Sequence, residues 1–460
     1  MKQSFDSIII GAGQAGPSLA VRLATAGQNV ALVERHLFGG TCVNTGCTPT
    51  KAMVASAHAA HLARRGPDFG FATDNVRVDL RAVKARKDAV VEHSRSSVEK
   101  WLRGTKNCAV IQGHASFESP RTLRVGDDIL EADQIFLNVG ARPLIPDMPG
   151  VGTVPFLTST SILELEELPP HLVVVGGGYV GCEFAQMFRR FGSKVTILDM
   201  HPRLASHEDE DASEVIHEVF KSEGIDIAVN AKCIHLEQGP GHIRVGVECD
   251  ERAPHIEASH VLLAIGRAPN THDLNLPAAG VHTDAHGYIP VDDQLRSNVA
   301  HIFALGDCNG RAAFTHTSYN DYEIVADNLL NGAARSLADR IPIYALFTDP
   351  PLAHVGLQEH EVRARGVRAL IGKRPMTRVS RAIEKGETFG FIKILVDEHT
   401  QHILGATLIG PGADEAIHCI ATCMYARQPA SLLSHSVHIH PTVAELIPTV
   451  LGDLQPLTDR

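Results

Sequence analysis

The chain of 460 residues is 44% hydrophobic and 21% charged, which suits folded globular domains and excludes wholesale disorder. At roughly one domain per 150 residues, this length predicts about three domains. Forty-two Lys and Arg against fifty-three Asp and Glu leave a net charge of −11, the wrong sign for covering a phosphate backbone, so no nucleic-acid partner is expected.

The first residues, MKQSFDSIIIGAG, enter a short apolar strand without the long apolar core of an export signal, and no run of about 18 apolar residues occurs elsewhere. A cytoplasmic chain with no membrane partner is expected. The segment SIIIGAGQAGPSLAVRLATAGQNVALVE then reads as a strand at Ile8 to Ile10, a glycine turn, an amphipathic helix, a reversal at Gly27 and a second strand. Gly11, Gly13 and Gly16 allow a tight turn, close approach of backbone to a pyrophosphate, and close helix packing. Glu34 ends the unit where a ribose hydroxyl would donate to it.

Next comes GGTCVNTGCTPTK, with Cys42 and Cys47 separated by four residues and Gly46 between them. Thr48 and Pro49 predict a helix N-cap and first turn, with helix through Lys51 to Ala63. Cys47 is then at a helix N-terminus, where free N–H groups and the dipole favour a thiolate, and Lys51 adds positive charge. The spacing suits zinc poorly, so no resident metal is expected; a buried structural pair is the plainer alternative to a redox pair. The place directly after a dinucleotide unit favours the redox reading. The other cysteines, including Cys249, lie far apart, and Cys419 and Cys423, one turn apart on a helix, are expected to be packing residues like Cys308.

The first unit recurs at an offset of 165 residues as LVVVGGGYVGCEFAQMFRRFGSKVTILD. Gly176, Gly178 and Gly181 repeat the glycines, Val173 to Val175 the strand, and Asp199 the terminal acid. One GxGxxG is weak evidence, but two in the same strand, turn, helix and strand context with the acid at the same distance predict two dinucleotide sites and two cofactors exchanging electrons. Pro143, Pro146, Pro149 and Gly150 punctuate one junction around the second unit, and Arg267, Pro269 and Asn270 the other. The expected fold is α/β, with two Rossmann-like dinucleotide-binding domains, at 1–145 plus 266–336 and at 146–265, and a C-terminal α+β dimerisation domain at 337–460. In that last part GFIKILVD and ILGATLIG read as antiparallel strands and Glu415 to Ala426 as an apolar helix.

GGTCVNTGCTPTK resembles the redox-active disulfide signature of the class I pyridine nucleotide-disulfide oxidoreductases, the family of dihydrolipoamide dehydrogenase, glutathione reductase and mercuric reductase. The resemblance spans essentially the whole chain. Gly11, Gly13, Gly16 and Glu34 match the family's FAD fingerprint, AIGRAPN with Gly266 its mid-chain motif, LGDCNG with Asp307 its second FAD motif, and HIHPTVAE the segment that carries its base. The family implies FAD held also by Gly40, Thr41 and Gly140, and NADH at the second unit, with NADPH the alternative. It implies that Cys47 faces the flavin and Cys42 attacks substrate, that Lys51 lies beside the flavin with Glu183 as its carboxylate partner, and that His440 is the base oriented by Glu445. It implies a homodimer in which His440 serves the partner subunit's site.

Two departures bear on substrate. The chain ends LGDLQPLTDR without the adjacent cysteines of characterised mercuric reductases, and Thr48-Pro49-Thr50 replaces the isoleucine-proline-serine step of lipoamide enzymes. AAFTHTSYNDYEIV at 312–325 is similar to the mercuric-reductase-like and copper-reducing branch. Asn138, in LNVGARP, has no physical account at this level. The expected function is reduction of a small disulfide by NAD(P)H through FAD and the Cys42–Cys47 pair. The alternatives are a mercury or copper ion reductase and, more remotely, a flavin-binding sensor or structural subunit without turnover.

Overall fold

The computed structural model describes residues 1–247 and 255–458, so Cys249 lies outside the described residues. The apolar run at the N-terminus forms the strand Lys2–Ile10 (β1), which pairs in parallel with Val30–Glu34 (β2) on one side and Asp128–Leu137 on the other. Cys108–Gln112 extends this sheet beyond β2, Ile302–Ala304 joins Asp128–Leu137 in parallel, and the hairpin of Ala115–Ser119 and Thr122–Val125 adds antiparallel strands. The C-terminal ends of its central strands, 8–10 and 135–137, and the neighbouring run 30–33 are continuous and apolar because both faces are covered there. The helix Ala15–Thr25 (α1) buries Leu19 and Leu23 completely against it.

The second repeat builds a five-stranded parallel sheet around His171–Val175. Register is conserved between the two units: the Gly11 amide donates to Val33 O and the Gly176 amide to Leu198 O, each at 2.8 Å. A three-stranded antiparallel layer, His235–Gln238, Ile243–Gly246 and Ile256–Ala258, packs beside it. The chain leaves and re-enters the first sheet system at one place, where Ala141–Pro143 and Arg267–Pro269 form a two-stranded antiparallel ladder. The Pro- and Arg-rich junctions read from the sequence are the strands of this ladder and the turns beside it.

The third system is a six-stranded antiparallel sheet. Its central strands Phe391–Asp397 and Ile403–Ile409 fall on the strand-like runs GFIKILVD and ILGATLIG, and the helix Ala413–Tyr425 begins two residues before its expected start. Two neighbouring carboxylates fasten this sheet to the second one. Asp209 accepts from Lys393 Nζ at 2.9 Å and from the amides of Glu359 and His360 at the start of a short helix. Lys393, 1% exposed, is also paired with Asp211 and Glu359. Glu208 is fully buried without a cation: it accepts from Tyr344 Oη at 2.8 Å, from Gln358 Nε2 at 2.9 Å, and from Tyr179 Oη. Among the described residues no helix is long and apolar enough to cross a membrane.

Candidate active site

The cysteine segment folds differently from its expected form in one respect. Gly40–Asn44 is a short helix (α2), and the next helix, Cys47–Arg64 (α3), begins at Cys47 itself with Gly46 as N-cap, so Thr48 is inside the first turn and caps nothing. Cys47 is therefore the first helical residue and faces the unpaired N–H end directly, which favours its thiolate. Gly46 is required by proximity: a Cβ there would stand 2.9 Å from Thr41 O.

Cys47 is exposed and Cys42 half-buried, both as free thiols. A hydrogen bond from Cys42 is the main cause that lowers the Cys47 thiol to about 6, against the opposing effect of burial, with help from Thr315 and Lys51. Thr315 Oγ1 lies 3.2 Å from Cys47 Sγ. Thr315 opens the helix Thr315–Asn331, so a second helix N-terminus meets the thiol. The same pairing, with burial, pushes the Cys42 thiol far upward. One sulfur is held ready as an anion and the other held protonated.

Lys51, one turn along α3, reaches Glu183 with Nζ at 2.9 and 2.7 Å from its two oxygens. Glu183 comes from the helix Tyr179–Phe191 of the second repeat, and the Phe347 amide of the third sheet system donates to its Oε1 at 3.0 Å. A cleft of about 2240 Å³ runs from Cys47 and Lys51 past Glu183 and Gly178 to Asp199 and His201. That is well above an ordinary small-molecule pocket and suits an extended dinucleotide.

The glycine loops fit the two cofactors implied by the sequence. A Cβ on Gly16 would stand 2.1 Å from Gly11 O, and one on Gly181 would stand 1.8 Å from Gly176 O, so both positions demand glycine for helix and turn to touch. At Gly178 and Gly140 the space a Cβ would fill is open. Gly13 packs under Asn138 Oδ1, and a Cβ on Gly40 would strike Gly13 Cα, which brings the cysteine segment, with Thr41, against the first loop. Asn44 Oδ1, also in that segment, is buried without a partner, as a group awaiting a ligand's donor would be. Asp307 is raised by burial more than Arg267, at 3.4 Å, can offset, a setting that suits a carboxylate meant to accept hydroxyl hydrogen bonds. Gly266 follows the strand beside the second loop.

The terminal acids behave alike in both repeats. Glu34 accepts from the amides of Ala12 and His36 at 2.8 and 2.7 Å. Asp199 accepts from the amides of Gly177 and His201, and His201 Nδ1 lies 2.7 Å from Asp199 Oδ1. Each acid thus braces its own glycine turn, with lone pairs left for a ribose.

His440 Nδ1 lies 2.9 Å from Glu445 Oε2, the orientation expected of a base with a fixed tautomer. The pair does not line the cleft, and the His440 side chain is 73% exposed, flanked by a fully exposed Val437 and an exposed Ile439. Within one chain the cleft gathers Cys47, Lys51, Glu183, Gly176, Gly178, Asp199 and Gly266, whereas the glycines of the first loop, Asp307 and the His440–Glu445 pair lie outside its lining. Sequence reading missed Thr315, Phe347, Tyr179, Glu208 and Tyr344. For Thr315 a signal existed, since its segment stood out by resemblance. The others depend on how three sheet systems dock.

Two successive dinucleotide loops, a dithiol at a helix N-terminus and a C-terminal antiparallel sheet define a flavoprotein disulfide reductase. The chain belongs to the pyridine nucleotide-disulphide oxidoreductase family, which it matches over residues 5–321, with the family's dimerisation domain over 343–451. It is 37% identical to the probable pyridine nucleotide-disulfide oxidoreductase RclA of Escherichia coli strain K12 over 96% of this chain and 97% of that one. It is 34% identical to the dihydrolipoyl dehydrogenase of Chlamydia pneumoniae over 97% and 96%, and 33% identical to the mercuric reductase of Staphylococcus aureus over 96% and 81%. The solved Cu(II) complex of HOCl-induced flavoprotein disulfide reductase RclA from Escherichia coli superposes with a TM-score of 0.90 at 35% identity, covering 98% of this chain and 99% of that one. The protein is accordingly an FAD-dependent oxidoreductase that uses a pyridine nucleotide, with the α/β fold and C-terminal dimerisation domain of a homodimer.

Proposed function

We propose that Cys42 and Cys47 are the redox pair of an NADH-preferring disulfide reductase, with FAD held by 1–145 and 266–336, nucleotide by 146–265, and the subunit interface built from 337–460. The observation that carries this reading is the division of labour between the two sulfurs. Cys47 is lowered to about 6 while Cys42 is raised, so the reduced pair holds a thiolate and a thiol at neutral pH. Bound FAD supplies two-electron transfer between nicotinamide and this pair.

Once two electrons have opened the Cys42–Cys47 bond, Cys42 must lose its proton to become a nucleophile, and its raised pKa makes that step need a base. His440, oriented by Glu445 and supplied by the partner subunit, takes the proton. The Cys42 thiolate attacks one sulfur of a small disulfide, a new S–S bond forms, and the leaving thiolate takes the proton back from His440. The Cys47 thiolate then attacks Cys42, re-forming the pair, and the second product leaves as a thiolate that takes a proton from solvent. The balance is one disulfide, one NADH and one proton giving two thiols and NAD⁺. The Lys51 ammonium, paired with Glu183, favours the Cys47 thiolate, while the Glu183 carboxylate opposes it. Asp199 disfavours a 2′-phosphate, and the site is expected to work in the cytoplasm.

Anaerobic addition of one equivalent of NADH, followed by alkylation and peptide mapping, tests the reading: label must appear on Cys42 and Cys47 and nowhere else new. A metal-ion reductase is the second reading. What favours it is the accessible dithiol together with the Cu(II) complex of the structural relative. A soft ion would on this reading be a substrate taken by the two sulfurs. Comparing NADH oxidation with cupric ion and with disulfides separates the two.

A further inference from the structure

We propose that Phe347 is a positioning residue for Lys51, its ring fixing the ammonium at the place from which it supports the Cys47 thiolate. The inference rests on the reading of Cys47 and Lys51 given above. The Lys51 Nζ stands 4.6 Å from the centroid of the Phe347 ring while its hydrogens reach both oxygens of Glu183. The ammonium is thus held between a carboxylate and an aromatic face, each attractive to a cation. Glu183 pairs with the cation but, as an anion near the sulfur, itself raises the Cys47 thiol. A neutral π face holds the cation without adding a second anion near the thiolate, which a further carboxylate would do.

The backbone that carries the ring is fixed independently of it. Along the helix Tyr179–Phe191, Glu183 accepts from the Phe347 amide, Gln186 exchanges hydrogen bonds with the Asp349 backbone at 2.8 Å in both directions, and Arg190 Nη1 reaches Asp349 Oδ2 at 2.6 Å. The strand connection 347–349 is a splint on that helix, and Lys51 and His58 of α3 close over it, His58 Nδ1 lying 2.9 Å from Asp349 Oδ2. Removing the ring therefore leaves the splint in place. The groups that face Cys47 are Cys42 from α2, Thr315 from the helix behind, Lys51 from its own helix, and Glu183 across the cleft. Of these only Lys51 has a long flexible stem, so only its charge position depends on an external clamp.

The test is the pH profile of Cys47 alkylation by iodoacetamide in the reduced, FAD-loaded enzyme, read peptide by peptide by mass spectrometry. Phe347→Leu is expected to raise the midpoint by about half a pH unit, as a charge displaced by roughly 1 Å at this range does in a medium of intermediate dielectric. Phe347→Tyr keeps the π face and must restore the wild-type midpoint. Mono-, di- and trifluorinated phenylalanine at 347 keep the shape while draining the ring face, so they preserve the fold and should raise the midpoint stepwise. A midpoint indifferent to fluorination, or a Tyr variant that behaves like Leu, overturns the positioning role. A wild-type Cys47 with an ordinary thiol midpoint overturns the underlying reading instead, so the two failures are distinct.

Discussion

The Gly16 amide, at the start of α1, donates to Asn138 Oδ1 at 3.0 Å, and Asn138 Nδ2 donates in turn to Leu305 O at 2.9 Å. One buried side chain thus ties the first glycine loop to the segment that leads into Asp307. In the second repeat the equivalent neighbour of the loop is Ala264, whose carbonyl lies under Gly176 as that of Asn138 lies under Gly11. Replacing Asn138 by Leu strips a buried N–H of its acceptor, a loss of about 1 to 3 kcal/mol. FAD should be retained about tenfold or more weakly, measured by flavin fluorescence released on dilution, with NADH affinity unchanged.

Cys47 should alkylate with a midpoint near pH 6, because an acid with a lowered pKa is ionised above that value. Cys47→Ser should abolish the long-wavelength charge-transfer absorbance of the two-electron-reduced enzyme. Cys42→Ser should keep it without reduction while losing disulfide turnover. The reverse pattern exchanges the two roles.

His440→Ala should lower disulfide turnover by about two to four orders of magnitude, the contribution of a positioned acid and base. Dye reduction by NADH should survive, since no sulfur proton moves in it. Equal loss of both activities would make His440 structural. Turnover with a metal ion should depend on it less.

Asp199 predicts that kcat/KM for NADH exceeds that for NADPH by about two orders of magnitude, from like-charge opposition of a few kcal/mol. His201, whose Nδ1 lies 2.7 Å from Asp199 Oδ1, should keep the exclusion incomplete, whereas Arg203 donates to Glu208 O and does not line the cleft. Asp199→Ala should narrow the ratio, and a variant with the wild-type ratio removes Asp199 from nucleotide choice.

Lys393→Met takes the buried cation from Asp209, while Asp211 keeps Lys373 and Glu359 keeps Arg363, and should cost about 3 to 5 kcal/mol, read as a lowered Tm. Burial alone would raise Asp209, but Lys393 and its other donors outweigh it and hold the carboxyl at about 2. Since its pKa is depressed in the folded state, its contribution is fully present above about pH 4 and is lost as pH falls through about 2. Wild-type stability should decline across that window, and Asp209→Asn should decline less steeply.

Sequence reading found what local chemistry demands. Gly16 and Gly181 are legible because only glycine lets a helix touch its own turn, and the offset of 165 residues repeats that demand. The pairing of His440 with Glu445, implied by the resemblance, is present as a contact because five residues suffice to place one against the other. Glu208, Tyr344 and Phe347 are not, for a different reason. Tyr179 and Tyr344 are 165 positions apart, and nothing near either announces that both donate to one buried carboxylate. Thr48 was misread because a threonine before a proline imitates a cap, whereas Gly46 takes that place so that its backbone can approach Thr41.

The bracing of each glycine turn by its own acid has a kinetic meaning. Ala12 and Gly177 donate to Glu34 and Asp199 before any nucleotide arrives, so the bends at both loops are settled when the chain folds. Ordering a loop at the moment of capture usually subtracts from affinity and slows encounter. With the turns already braced, that subtraction is expected to be small, so on the proposed assignment of both loops to dinucleotides the rate of capture should follow diffusion and charge and not the closing of the turn.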